Sequence, residues 1–187
     1  MKESITSRLI WTEASKFALI FAAITIGCGL IKRGIAAWDP GAFVTGLFGA
    51  ILWAGEFVGC IYLMMFLMRK LVRDFDGVQN ADTNRYGRRI ALLSAVVIAS
   101  VNFLILYFTP EEELQKTIEE AMSAYGSMLD SNSLSVMEDL LQNLPAITFI
   151  SNLIYCFLYG TILSAILSRS IPQPDPFAGI SNTPENQ

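Results

Sequence analysis

The sequence predicts an all-α polytopic membrane protein: a bundle of four transmembrane helices, with an extracytoplasmic amphipathic helical segment between the third and fourth spans. Three observations carry that reading. Of 187 residues, 53% are apolar and only 16% charged, against about 25% charged in an average soluble domain. The runs Phe17–Ile31, Pro40–Gly55, Phe57–Met68, Ile90–Pro110 and Leu140–Ser168 hold 93 residues without a charge, so all 30 charges fall in the other 94. A soluble domain instead spreads charge along every element, because each has a wet face. The third observation is that lysine and arginine gather in alternate connections. This distribution excludes a disordered chain and an ordinary soluble enzyme, and a pI of about 4.8 excludes a nucleic-acid binder.

A hydrocarbon core about 30 Å thick needs about 20 helical residues. The first span, about 14–33, is the shortest in apolar content, with a charge-free run of 15 residues. Lys16 and Lys32 can snorkel from its ends and Trp11 can sit at an interface. The second, about 43–68, joins two runs, each too short alone, into a 26-residue helix carrying one internal acid, Glu56. Two half-helices broken at Gly55 are the alternative. The third span covers about 90–109. The fourth covers about 145–168 and opens on Pro145, since proline suits a first helical turn.

Orientation follows from the basic residues of short loops. Between the second and third spans stand Arg69, Lys70, Arg73, Arg85, Arg88 and Arg89, for a segment charge of +3; between the third and fourth, Lys116 faces eight acids, for −7. The basic segment and both termini are therefore expected in the cytoplasm. Lys32 and Arg33 are the exceptions, on the short outer hairpin. The leading 16 residues carry Glu3 and Glu13 and lack an Ala-x-Ala site, so they read as an uncleaved start. Thr25-Ile26-Gly27-Cys28 is only loosely like a lipobox, with threonine where leucine is usual.

The acidic outer segment reads as two amphipathic helices, about 110–125 and 133–144. Thr109 can cap the first and Pro110 open it, while three glutamates complement the helix dipole. Leu114, Ile118, Met122 and Tyr125 then share a face. Ser135 and Glu138 form a capping box for the second, and Met137, Leu141 and Leu144 lead its apolar stripe into the fourth span. The tail 171–187 has four prolines and reads as a disordered cytoplasmic end.

This layout resembles domain-of-unknown-function family 4199, small four-span membrane proteins of Bacteroidota. The resemblance runs from about Ile20 to Ser170 and is carried most by Asp76-Gly77, Tyr86-Gly87, the third span and Thr109-Pro110-Glu111 with the acidic helix. It implies an inner-membrane address and transfers no catalytic residue.

Glu56 is the residue that most needs a physical account. It lies 13 residues from Arg69, Asn102 lies 13 from Arg89, and Tyr155 lies 14 from Arg169. At about 1.5 Å per residue this sets all three near mid-membrane. An ionised carboxylate there costs at least about 2.5–3.5 kcal/mol, so Glu56 is expected to be protonated or hydrogen-bonded toward the bundle interior. A Glu56–Asn102–Tyr155 cluster would either clamp helices or serve a proton-coupled or polar-ligand site. Gly55 and Gly59 form a GxxxG motif with Gly46 above it, and Ala91–Ala95–Ala99 repeats the small-residue pattern on the third span, expected mainly to pack helices within the chain. Asp74-Phe75-Asp76 matches a metal–nucleotide-sugar motif but lacks the surrounding strands and glycines, and reads as acids in a basic loop. With no histidine, no P-loop or dinucleotide fingerprint, and Cys28, Cys60 and Cys156 alone in apolar spans, no metal or cofactor site is expected. The expected function is a non-enzymatic inner-membrane accessory or scaffold subunit. Its partners would be membrane lipids and a membrane protein or a second copy, with no nucleic acid. A small proton-coupled transporter or channel using Glu56 and Asn102 is the alternative, and a lipid-acting enzyme a more distant one.

Overall fold

The computed structural model describes residues 7–38, 41–75, 77–110, 112, 114 and 143–171. The expected outer helices and the tail lie outside them, apart from residues at their edges. Four helices make up the described chain, with no strand among the described residues: α1 (Ser7–Ala37), α2 (Ala42–Asp74), α3 (Asn80–Phe108) and α4 (Leu144–Arg169). Each is long and apolar enough to cross a membrane, which makes this a multi-pass membrane protein of the all-α class.

Helix α1 is 31 residues long, about 46 Å at 1.5 Å per residue, and so outruns its charge-free stretch at both ends. It stops where the Trp38 amide turns back onto the Gly34 and Ile35 carbonyls. Gly41, at φ 93°, then makes the left-handed step into α2. Helix α2 passes through Glu56 without a break; a glycine such as Gly55 costs a helix only about 1 kcal/mol, and in lipid any opened backbone group would cost more. Phe75 ends α2 in extended conformation, and Gly77, at φ 72°, turns the chain. The Asp82 carboxylate accepts the Gln79 amide at 3.2 Å, one half of a capping box at the start of α3. Pro145 falls in the first turn of α4.

The chain forms two compact units, one holding the sequence up to Ser94 and from Cys156 onward, the other Ala95–Tyr155. In the first, α1 buries Ile10, Ala14, Ala18 and Phe21; α2 buries Cys60, Met64, Leu67, Met68 and Leu71; Tyr86 and Ile90 come from α3, and Leu163 and Leu167 from α4. These three- and four-residue spacings trace one face of each helix. They lie in the helix halves that carry Arg8, Lys16, Arg69, Lys70, Arg73, Arg85, Arg88, Arg89 and Arg169, the basic end of the unit. Toward the α1–α2 turn the side chains become open, and Trp38 and Phe43 are 81% and 82% exposed, as suits an interfacial aromatic belt.

Lipid tails are as apolar as leucine, so helices in a membrane associate through close packing and polar contacts rather than burial from water. In the first unit that closeness occurs where α3 meets α4. A Cβ on Gly87 would overlap the Met68 methyl and the Ser164 hydroxyl, and one on Gly160 would overlap Ala91 Cβ. The Ser164 hydroxyl, itself buried, donates to the Asn84 carbonyl at 2.9 Å. In the second unit Ala95 and Ala99 are fully buried, and Phe103 meets Phe149 edge-on at 6.2 Å.

Gly160→Ala is expected to lower stability by about 1–3 kcal/mol, the usual cost of overpacking, because Ala91 has no flexible end to move aside. Gly46→Ala, at a position with nothing within 4 Å, should melt with the wild type. Melting curves in detergent check both, and a Gly160→Ala protein as stable as wild type would contradict the close crossing.

Candidate functional site: an intramembrane charge pair

The inward stripe of α1 does not end with Phe21. Continued at helical spacing through Thr25 and Cys28, it arrives at Lys32. The corresponding stripe of α2, followed back from Leu71 through Leu67, Met64 and Cys60, arrives at Glu56. Helices α1 and α2 pack against each other, and where the two stripes end, Lys32 Nζ donates to Glu56 Oε2 at 3.0 Å. Backbone geometry brings the pair together. Lys32 is nearer the closed end of the hairpin, and side chains tilt toward the N-terminus of their own helix. Its ammonium therefore leans away from the turn and the Glu56 carboxylate leans toward it, so the two converge across their difference in height.

Each charge alone is costly in hydrocarbon, and each is what the other needs. The side chains are 33% and 21% exposed, so the pair sits at the rim of the α1–α2 seam. Beside it Trp53 stacks on Phe57 at 5.7 Å, and Phe57 meets Tyr159 at the same distance.

The partner of Glu56 is thus Lys32, which by sequence reads as a snorkelling end of the first span and an exception to charge sidedness. Extending the core stripes of both helices toward their turn would have found it. Asn102 and Tyr155 belong to the second compact unit, where Asn102 is half-buried and Tyr155 is exposed.

The expected glycine motif makes no close contact among the described residues: nothing there lies within 4 Å of the position a Cβ would take on Gly46, Gly55 or Gly59. At about 100° per residue, Gly55 and Gly59 point far round α2 from its Cys60–Met64–Leu71 face. Gly46 shares the azimuth of that face but stands in its open half. The close-packing glycines are Gly87 and Gly160, which stand outside any GxxxG pattern, while Ala95 is buried as a packing residue should be.

Lys32→Met leaves Glu56 without its counter-charge, and for a pair at this exposure the expected loss is about 1–3 kcal/mol. Adding Glu56→Gln should recover more than half of that loss. Denaturation midpoints of both single variants and the double variant check the coupling; losses that merely add would show the pair to be incidental. Comparison of the chain with protein-family models, with curated proteins and with solved structures finds no match.

Proposed function

We propose that the protein is a non-enzymatic subunit of a bacterial inner membrane, with both termini in the cytoplasm, that acts through another membrane protein or a second copy of itself. The observation that carries this reading is the open glycine face of α2. A helix gains from Gly55 and Gly59 only when another backbone comes close enough to use the missing side chains, and within the described chain nothing does. Around them Ile51, Val58 and Tyr62 are exposed large apolar residues, suited either to lipid or to a further helix. The basic residues at one end of the first unit support the cytoplasmic assignment of that end.

The charge pair favours a second reading, a small proton-coupled transporter. Ionisable side chains within a span mark ion or proton pathways often enough to be a default functional hypothesis, and Lys32–Glu56 is partly exposed rather than sealed.

Cross-linking mass spectrometry in native membranes separates the two. The subunit reading expects links from the Gly55–Gly59 face of α2 to a second chain, lost in a Gly55→Leu/Gly59→Leu variant that is produced and melts like wild type. Wild-type protein without such links, combined with proton flux into liposomes that Glu56→Gln abolishes, would replace it with the transporter.

A further inference from the structure

A second feature of the first unit lies away from both the charge pair and the glycine face. At the basic end, Glu13 and Phe17 of α1, Lys70 and Asp74 of α2, Phe75 just beyond it and Tyr86 of α3 line a cleft of about 210 Å³ that opens to solvent and whose inner space admits one water-sized group. Tyr86 is among the most buried side chains of the molecule, 2% exposed. No protein group among the described residues hydrogen-bonds its hydroxyl, and the residue lines the open cleft. Two carboxylates stand at the same cleft. Glu13 meets Lys16 through Oε1 at 2.7 Å and Asp74 meets Arg73 through Oδ1 at 3.3 Å. Lys70 is held at the side, its ammonium 5.1 Å from the Phe17 ring centre.

The cleft therefore offers a hydroxyl oxygen and two carboxylates to a small donor cation, beside an ammonium that suits an anion. The apolar spans end here, at the level of lipid headgroups. A primary ammonium is close to water in size and carries three donors, whereas a trimethylammonium is too wide for the inner space and has none. A glycerol headgroup has no cation to meet Glu13 and Asp74. We propose that this cleft binds the ethanolamine headgroup of a phospholipid, with its ammonium directed to Tyr86, Glu13 and Asp74 and its phosphate to Lys70.

The test uses the full chain in detergent micelles with equal amounts of dioleoyl phosphatidyl-ethanolamine, -choline and -glycerol, read by native mass spectrometry. The ethanolamine lipid should be retained about fivefold or more over each of the others. That preference should fall to parity in Glu13→Gln/Asp74→Asn, whose lipid-free melting should match wild type because both residues form partly exposed surface pairs. Lys70→Gln should weaken retention of the ethanolamine lipid while leaving its advantage over the choline lipid in place. Equal retention of ethanolamine and choline lipids by the wild type would overturn the proposal. Retention that survives in Glu13→Gln/Asp74→Asn would also overturn it. Displacement of the lipid by an equimolar amount of free phosphoethanolamine would overturn the lipid as the source of the ammonium.

Discussion

Two charges inside a hydrocarbon layer must answer each other, and Lys32 and Glu56 do so across the α1–α2 seam. That requirement constrains more than two side chains. A carboxylate on α2 and an ammonium on α1 can meet only if the helices keep one rotation and one relative height, so the pair sets the register of the hairpin. The same rotation turns Ile10, Ala14, Ala18 and Phe21 toward Cys60, Met64, Leu67 and Leu71, and turns Gly55 and Gly59 away from them. The packed seam, and a glycine face without a close neighbour among the described residues, are thus two consequences of one azimuth.

The remaining cohesion of the first unit has a different source. Where α3 meets α4, two glycines, an alanine and a buried serine let backbones approach, and the Ser164 hydroxyl satisfies itself on the Asn84 carbonyl. Such contacts are individually modest, typically about 0.6 kcal/mol for a hydrogen bond between membrane helices. They need close approach to matter, which is why the glycines occur at this crossing. The large side chains meanwhile concentrate at the basic end, where Tyr86, Met64 and Met68 fill the space between helices.

The architecture was legible in the sequence because it follows from one-dimensional facts: charge-free length determines what can cross a bilayer, and one acid in an apolar run does not break a helix. The site was half legible. Glu56 stands out in sequence because burying it is costly, yet its partner is identified by rotation about two helix axes, and counting residues from the nearest arginine measures depth alone. Lys32 becomes readable only once the stripe Ile10–Ala14–Ala18–Phe21 is known to be the inward one. The GxxxG motif is ambiguous for the same reason. Gly55 and Gly59 have the spacing for close packing but an azimuth that meets no other helix among the described residues, whereas the close contacts fall at Gly87, four residues before the Ala91–Ala95–Ala99 stripe, and at Gly160, four before Ser164 and eight before Ser168, where small residues other than glycine complete the spacing.

A helix hairpin tied by its own charges, with a face left open for another helix, is the physical basis of the subunit reading, and its foundation is the contact between Lys32 and Glu56. The most direct test measures that contact in a bilayer. With ¹⁵N at the lysine side chains and ¹³C at the glutamate carboxyls, solid-state NMR dipolar recoupling on wild type and a Lys32→Arg control can isolate the coupling between these two residues. The expected result is a coupling that corresponds to a hydrogen-bonded pair, in line with the 3.0 Å separation of Nζ and Oε2. Absence of that coupling, placing the groups beyond the roughly 4 Å limit of an ion pair, would contradict the account.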